Sequence, residues 1–323
     1  AFPSSTHRGI DGTKMAAFVS EESHYSVLMS ANVIGIGHRN LFKIAVDEDG
    51  RMQPDALREE IHRARREGLT PFCVVSTSGT TVRGAFDPLV EIGQIAHEEG
   101  IWHHVDAAWG GSALFSSQLS SLMEGVELAD SVCWDAHKMM GLPLICSAFL
   151  VKQPEVLAKV CAHGNVAHYL FHESSKEHDL GRYSLQCGRR NDALKLWLAW
   201  RECGDAGWAS LVENYVSLAD HLQARVDDHT NLEMMSSRVW TNVCFRYVPR
   251  KNVNLNDINS ELRLRIMQNA DFMVSRSNIG EDVVIRSVIS NPGITTSTLD
   301  AFIDEVLRIG NDIEQGLPRE TAY

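Results

Sequence analysis

The chain has 323 residues, of which 44% are hydrophobic and 22% charged, and its formal net charge is −12. This composition is typical of a globular protein and argues against a disordered chain. No run of lysine and arginine is longer than two residues. The sequence therefore lacks the basic footprint of a nucleic-acid-binding protein.

The cysteines and the distribution of apolar residues indicate the cellular compartment in which the protein is expected. The seven cysteines are odd in number, and none belongs to a Cys-x-x-Cys pair, so we expect reduced thiols in a cytoplasmic protein. No stretch approaches the ~20 apolar residues of a membrane span, and the first residues lack the pattern of a signal peptide. We expect a cytoplasmic protein that does not associate with a membrane.

Short β-rich runs alternate with segments of helical period over the first 150 residues or so. In chain order they are AAFVS (16–20), SVLMSANVI (26–34), FKIAV (42–46), PDALREEIHRARREG (54–68), PFCVVS (71–76), PLVEIGQIAHEEG (88–100) and IWHHVDAA (101–108). This alternation predicts an α/β layer on a mostly parallel sheet. Gly68 and Gly100 are expected at helix C-caps. Asp87-Pro88 is expected to give an N-cap followed by proline at the first helical position.

The pattern changes after the apolar runs DSVCW (130–134) and ICSAFLV (145–151). A polar loop, 172–183, leads into a long helical region, 191–228. The remainder predicts a strand at 241–248, a helix at 255–270, a strand at 283–290 and a helix at 297–316. We therefore predict a large α/β domain over residues 1–203 and a small α+β domain over residues 204–323.

Residues with reactive or hydrogen-bonding side chains follow several of the predicted strands. Lys138 lies in DAHKMM (135–140), Asp106 lies in HVDAAWGG (104–111), and STSGTT (76–81) ends a third strand. Each has a structural explanation when taken singly: a lysine that snorkels, an aspartate that caps the next element and a turn. Together they match the needs of pyridoxal 5′-phosphate (PLP), which are an amine, a carboxylate for the pyridinium nitrogen and donors for the phosphate.

Sequence blocks along nearly the whole chain resemble one enzyme family. The blocks are FVSEESHYSV (18–27), VSTSGTTVRGAFDPL (75–89), HVDAAWGGSAL (104–114), DSVCWDAHKMM (130–140), SLQCGRRNDALKLWLAWRECG (184–204) and VVIRSVISNP (283–292). In this order they resemble the group II PLP-dependent amino-acid decarboxylases, most closely the glutamate and cysteine-sulfinate decarboxylase branch. The resemblance implies a fold-type I enzyme of the aspartate-aminotransferase architecture. It also implies a homodimer, because the active site in this family lies at the subunit interface.

The resemblance implies a role for individual residues as well. Lys138 would form the Schiff base with PLP, and Asp106 would pair with the pyridine nitrogen. His24 would stack on the ring face and position the substrate for protonation, although without the family match it would be interpreted as a half-buried histidine at a helix start. Three further residues would contact the cofactor, namely Thr80 and Ala108 beside the ring and His137 at the phosphate.

Arg286, in VVIRSVIS (283–290), concerns the substrate. It occupies the position where the acidic-substrate branch has an arginine near the substrate carboxylate, which a guanidinium can bind in a bidentate manner. Relatives that act on aromatic amino acids also carry arginine there, and a charge at the solvent end of a strand is an equally good explanation. The function predicted first is α-decarboxylation of a small acidic L-amino acid, namely glutamate, aspartate or cysteine sulfinate.

The sequence departs from the family pattern in three places. The N-terminal region with its Ser-Gly-Gly-Ser phosphate-binding turn is not in the sequence, through truncation or because another chain supplies it. The loop at 172–183 is shorter and lacks the tyrosine that protonates the substrate carbon, for which His178 or Tyr183 is the candidate replacement. Asp135-Ala136 stands where many relatives have Asn-Pro, and an aspartate near a phosphate is unfavourable unless it is paired or turned away.

These departures leave two alternatives open. One is a PLP-dependent aldehyde synthase or transaminase, because proton delivery decides the outcome of the reaction. The other is a catalytically inactive paralogue that acts as a binding subunit. His168 and His172 have the helical spacing of metal ligands, but no third ligand accompanies them, so no metal site is expected.

Overall fold

A six-stranded sheet, with strand order β2-β1-β3-β4-β5-β6, organises the first half of the chain. It is seen in a computed structural model that describes residues 9–10, 12–161, 180–186 and 188–318. The strands are β1 (Met15–Ser20), β2 (Leu41–Ile44), β3 (Thr70–Thr77), β4 (Trp102–Asp106), β5 (Ser131–Asp135) and β6 (Ser147–Val151). All neighbours pair in parallel except β5 and β6, which are antiparallel. The prediction of a mostly parallel sheet is confirmed.

Helices connect the parallel strands and cover the sheet. They are α1 (Ser26–Val33) after β1, α2 (Pro54–Arg66) after β2 and α3 (Leu89–Glu99) after β3. In α2 the buried residues Leu57, Ile61 and Ala64 recur at helical spacing and pack in one core cluster with strand residues such as Phe18. Because β3, β4 and β5 run parallel, their carboxyl ends all lie at the same edge of the sheet.

The C-terminal ends of the first helices agree with the sequence prediction. Gly100 caps α3 in a left-handed conformation with a φ of 65°. Gly68 directly follows the C-cap residue of α2 and has a φ of 77°. Only glycine adopts this region without a steric penalty.

The start of α3 corrects the sequence prediction. The helix begins at Leu89, and Pro88 occupies the N-cap position with no side-chain cap hydrogen bond. The Asp87 carboxylate instead accepts hydrogen bonds from the N–H groups of Met52 and Thr77, each at 2.7 Å. An unpaired buried N–H is costly, so the carboxylate binds these two donors and not the N–H groups at the start of α3. The prediction that Asp87 caps this helix was wrong.

A smaller α+β unit follows the long helix α5 (Asp192–Asp227), which is preceded by α4 (Glu155–Cys161). Its antiparallel sheet has the order β7-β8-β10-β9. The elements are β7 (Leu232–Met234), β8 (Asn242–Tyr247), α6 (Leu255–Asn269), β9 (Ser275–Ile279), β10 (Asp282–Val288) and α7 (Thr296–Glu314). Short 3₁₀ helices lie at His38–Asn40, Gly110–Phe115, Ser120–Met123, Val126–Leu128 and Leu180–Tyr183.

The boundary predicted at residues 203 and 204 falls inside α5. Gly204, with φ 64° and ψ 177°, interrupts the helical conformation at that point. The core cluster that contains Trp208 and Val212, beyond Gly204, also contains Val105 of β4. The division into two domains at this position stays a prediction. Across the described ranges, none of the helices combines the length and the apolar character that a membrane span needs.

Candidate active site

Asp106 occupies the centre of the edge where the parallel strands end. In the register of the sheet it lies opposite Thr77 of β3 on one side and Cys133 of β5 on the other. The Ser78 N–H donates to the Asp106 backbone carbonyl at 2.8 Å, so the STSGTT segment leaves β3 directly beside Asp106. The predicted carboxylate is thereby placed between the Ser/Thr-rich turn and the strand that leads to Lys138.

Two donors hold the Asp106 carboxylate from one side. Its Oδ1 accepts from the Ala108 N–H at 3.1 Å and from the Cys133 thiol at 3.4 Å. Burial raises the pKa of Cys133 to about 12, and the Asp106 charge adds to this rise, so the thiol keeps its proton and can donate. Among the described residues no donor contacts Oδ2. This oxygen is open to a protonated ring nitrogen.

Lys138 lies in the turn that follows β5, beside a carboxylate. Its Nζ is 3.2 Å from Asp135 Oδ2, and its side chain is 40% exposed. The same oxygen is 3.8 Å from His137 Nε2. Asp135 is therefore paired, which is the condition under which an aspartate is tolerated close to a phosphate. The His137 Nδ1 lies 2.9 Å from the Cys146 carbonyl oxygen, and this contact orients the ring.

The segment after β3 packs closely against the segment after β4. A Cβ built on Gly79 would lie 2.7 Å from the Gly110 nitrogen. Thr80 is fully buried, and its hydroxyl accepts from the Ala85 N–H at 3.1 Å. The hydroxyls of Thr77 and Ser78 are buried and have no hydrogen-bond partner in the described structure. Unpaired donors, an open carboxylate oxygen and an exposed amine at one sheet edge fit the groups that PLP requires.

His24 follows β1 at the same edge of the sheet. Its Nδ1 lies 2.8 Å from the Ser26 hydroxyl, and its ring packs on Tyr25 with centroids 4.3 Å apart. Glu22 connects this segment to the loop after Thr80 through an ion pair with Arg83 at 3.5 Å. Burial raises the pKa of Glu22, and the Arg83 charge opposes this rise. Within the described residues no hydrogen bond or ion pair joins His24 to Asp106 or Lys138.

Arg286 lies on β10 of the smaller sheet, beside a residue that contacts the same loop. It lies opposite Cys244 in the register of β8 and β10, and the Cys244 thiol donates to the Val82 carbonyl at 3.2 Å. The Arg286 Nη1 donates to the Ser275 hydroxyl at 3.0 Å, while its Nε is buried and has no partner among the described residues. Burial lowers the pKa of Arg286. No hydrogen bond joins it to Lys138 in the described structure.

Some residues at this edge were not singled out by the sequence. Trp109 donates from Nε1 to Asn242 Oδ1 at 2.9 Å, and Asn242 Nδ2 donates to the carbonyls of Thr81 and Val82. Asn242 therefore joins the smaller sheet to both segments that flank Asp106. Trp109 lies in the HVDAAWGG block, but nothing in the sequence pairs it with a residue so far along the chain.

The histidines at 168, 172 and 178 fall outside the described residues. Tyr183, the other candidate for the loop tyrosine, ends a 3₁₀ helix and is 40% exposed. In the ranges that the structure describes, no group of three or more His, Cys, Asp or Glu residues is arranged to hold a metal ion.

Comparison with known proteins assigns the family. Residues 5–248 match the family described as the pyridoxal-dependent decarboxylase conserved domain. The chain belongs to the pyridoxal-dependent decarboxylases. It is 35% identical over 326 residues to acidic amino acid decarboxylase GADL1 of Bos taurus, covering 96% of this chain and 62% of that protein. It is 36% identical over 328 residues to human cysteine sulfinic acid decarboxylase, covering 97% of this chain and 66% of that protein. The chain thus spans less than two thirds of the length of these relatives.

Solved structures agree with this assignment. Mouse CSAD superposes with a TM-score of 0.89 at 33% identity, over 96% of this chain and 67% of that chain. The 4-hydroxyphenylacetaldehyde synthase of Rhodiola rosea superposes with a TM-score of 0.87 at 26% identity, over 96% of this chain and 65% of that chain. The predictions of the family, of the fold-type I architecture and of PLP as the cofactor are confirmed.

Proposed function

We propose that this chain catalyses α-decarboxylation of a small acidic L-amino acid, namely glutamate, aspartate or cysteine sulfinate. The observation that carries the proposal is the placement of Lys138 and Asp106 at adjacent strand ends, in a chain of the pyridoxal-dependent decarboxylase family. Identity of 35% to an acidic amino acid decarboxylase and 36% to a cysteine sulfinic acid decarboxylase supports the acidic substrate class.

Different residues around Asp106 are proposed to bind different groups of the cofactor. PLP, when bound, supplies a pyridinium ring that accepts the electron pair left by departing CO₂. Asp106 would hold a proton at the ring nitrogen, and the Ala108 N–H and the Cys133 thiol orient its carboxylate by donating to Oδ1. Lys138 Nζ, on a side chain that is 40% exposed, would be the amine that condenses with the PLP aldehyde, with release of water.

The remaining site residues are proposed to complete the pocket. Thr80 and Ala108 border the ring, His137 helps to hold the phosphate, and His24 stacks on the ring face and positions the substrate for protonation. The buried position of Thr80 and the fixed ring of His137 support these roles, since a rigid wall orients a flat ligand. Arg286 is proposed to bind the substrate carboxylate, and the unpartnered Nε of its buried guanidinium supports this.

We propose a cytoplasmic homodimer as the working form. Large apolar side chains are exposed around the Lys138 turn and the first part of α5, including Leu144 at 69%, Ile145 at 64% and Trp197 at 57%. The two segments are neighbours, because Lys195 donates to the Pro143 and Ile145 carbonyls, and exposed apolar side chains on both support an interface with another subunit. Every described cysteine is free, which supports a reducing compartment.

The first test is an absorption spectrum of the purified chain with PLP between roughly 300 and 500 nm, before and after borohydride. We expect a visible band that borohydride abolishes and that is absent from Lys138→Ala. Lys152→Ala is the matched control, because this lysine donates to the Glu127 carbonyl at the far end of β6 and should leave the band unchanged. A band of equal strength in Lys138→Ala would contradict the assignment of Lys138.

The second test analyses the products formed from glutamate, aspartate and cysteine sulfinate. We expect CO₂ and the corresponding amine in equal amounts. Aldehyde and ammonia would instead favour the aldehyde synthase alternative, which the likeness to the Rhodiola rosea enzyme supports. A chain that neither binds PLP nor consumes an amino acid would favour the inactive binding subunit.

A further inference from the structure

Lys195, near the start of α5, holds the segment that follows the Lys138 turn. Its Nζ donates to the Pro143 carbonyl at 3.1 Å and to the Ile145 carbonyl at 2.8 Å. The same Nζ lies 2.8 Å from Asp192 Oδ1. Because an ammonium group has three protons to donate, these oxygens use all of them. Lys195 is therefore fixed by groups of the chain itself.

The segment 143–145 depends on these contacts for its position. Leu144 and Ile145 are 69% and 64% exposed, so burial does not fix them. The hydrogen bonds that the structure describes for this segment are the two from Lys195. The next residue, Cys146, is buried, and its thiol donates to the Asp192 carbonyl at 3.7 Å. The start of α5 therefore fixes the path by which the chain enters Cys146.

Cys146 in turn orients His137, the residue proposed to help hold the phosphate. The His137 backbone N–H donates to the Cys146 carbonyl at 3.1 Å. The ring Nδ1 lies 2.9 Å from the same carbonyl oxygen and 3.2 Å from the Cys146 nitrogen. When the Cys146 N–H donates to Nδ1, the proton of the neutral ring is on Nε2, which can then donate to a phosphate oxygen. The position of the Cys146 peptide thus decides whether His137 presents a donor.

We propose that Lys195 is a positioning residue for the phosphate end of the cofactor site. Through the carbonyls of Pro143 and Ile145 it places the Cys146 peptide, which sets the orientation and the proton of the His137 ring. All three protons of its ammonium group are taken by the chain, so Lys195 acts through His137 and does not bind the phosphate itself. The inference rests on the proposed function, from which it takes the role of His137.

The first readout needs no cofactor. Nitrogen NMR of the chain with isotope-labelled histidine reports which ring nitrogen carries the proton, at an alkaline pH where imidazole rings are neutral. The His137→Gln variant identifies the His137 signals. We expect the proton on Nε2 in the wild type and a mixture of both tautomers in Lys195→Met, which removes the ammonium group. Lys152→Met is the matched control, because Lys152 also donates to a backbone carbonyl but lies at the other end of β6 from Cys146. Its His137 signals should match those of the wild type.

The second readout compares the binding of PLP with that of pyridoxal, which lacks the phosphate. Lys195→Met should raise the dissociation constant of PLP roughly tenfold, as loss of an orienting partner does at metal sites. The dissociation constant of pyridoxal should stay within about twofold of the wild-type value. Lys195→Arg keeps the charge, but a planar guanidinium does not match the three acceptors, so its effect should be intermediate. In a His137→Gln background, Lys195→Met should weaken PLP binding no further, because the two residues act in series.

Three results would overturn the inference. They are unchanged His137 ring signals in Lys195→Met, equal weakening of PLP and pyridoxal binding, and additive losses in the double variant. Equal weakening would mean that Lys195 supports the fold or the Lys138 turn and does not act on the phosphate. Unfolding midpoints show whether each variant is folded, and if Lys195→Met is not, Lys195→Arg is compared with the wild type in its place. If the wild-type chain binds no PLP, the proposed function fails, whereas the NMR readout still decides whether Lys195 positions His137.

Discussion

The Asp87 carboxylate is 3% exposed, and burial and hydrogen bonding act on its charge in opposite directions. Burial raises the pKa of Asp87 to about 7, against the opposing hydrogen bonds from the N–H groups of Met52 and Thr77. The unfolded value is 3.8, so the folded chain binds more protons than the unfolded chain between these two pKa values. The free energy of unfolding that depends on Asp87 therefore falls as the pH rises through this window.

Asp87→Asn tests this prediction. The substitution removes the titration, and its amide NH₂ faces a backbone N–H, so we expect a loss of roughly 1–3 kcal/mol in the free energy of unfolding. The difference in free energy of unfolding between wild type and variant should decrease as the pH rises from about 4 to about 7, because only the wild type loses stability over this range. Urea denaturation across this range measures the gap, with the exposed Asp271→Asn as control. A gap that is constant or widens would contradict the prediction.

Residue types at the site follow from the sequence more readily than their contacts do. Lys138, Asp106 and the STSGTT segment could be expected to meet because parallel strands end at one edge. The pairing of Asp106 with Cys133 depends on the register between β4 and β5, which alternation alone does not determine. The pairing of Lys138 with Asp135 forms within the turn after β5 and depends on the conformation of that turn. His24 and Arg286 enter only through the family resemblance, and their roles stay predictions.

At the scale of elements, periodicity predicts the long helices and the buried strands and misses the short polar ones. β9 reads SRSNI and β7 has three residues, so neither shows an apolar pattern of its own, and both exist because they pair with the central strands of the smaller sheet. The start of α3 was predicted wrongly because the Asp87 carboxylate binds N–H groups from two other segments. Tertiary hydrogen bonds therefore override the local preference of an aspartate for a helix N-cap.

The turn between β3 and the Thr80 loop yields a prediction with a matched control. Gly79 and Gly68 both have positive φ values, 81° and 77°, but only Gly79 lies against another backbone segment. Gly68→Ala should cost roughly 1–2 kcal/mol of stability for the left-handed conformation alone. Gly79→Ala should cost roughly 1–3 kcal/mol more, since the new Cβ would collide with the Gly110 nitrogen. It should also weaken PLP binding, because the collision displaces the segment after Asp106.

Chemical denaturation and PLP titration of the two glycine variants provide the measurement. Equal losses of stability in the two variants would show that the collision with Gly110 adds nothing to the cost of Gly79→Ala. Unchanged PLP affinity in a destabilised Gly79→Ala would show that the segment after Asp106 does not depend on this contact.

At the scale of the whole molecule, the two sheets are joined at the active-site edge by Asn242. This residue is 1% exposed. It accepts from Trp109 Nε1 at 2.9 Å and donates to the carbonyls of Thr81 at 3.0 Å and Val82 at 2.9 Å. A single amide thus holds together the segment after β3, the segment after β4 and strand β8. Stability and cofactor affinity should therefore depend on the same side chain.

Asn242→Asp tests this dependence. The substitution keeps the acceptor for Trp109 but replaces the donor with an oxygen that faces the Thr81 and Val82 carbonyl oxygens. We expect each buried group left unsatisfied to cost roughly 1–3 kcal/mol, with a further loss for the buried charge. The dissociation constant for PLP should rise, since the Thr80 loop loses two of its hydrogen bonds to β8. Guanidinium unfolding and absorbance titration measure the two effects. Asn278→Asp, at an exposed position on β9, should change neither. If Asn242→Asp lost stability but bound PLP as tightly as the wild type, the smaller sheet would support the fold without shaping the cofactor site.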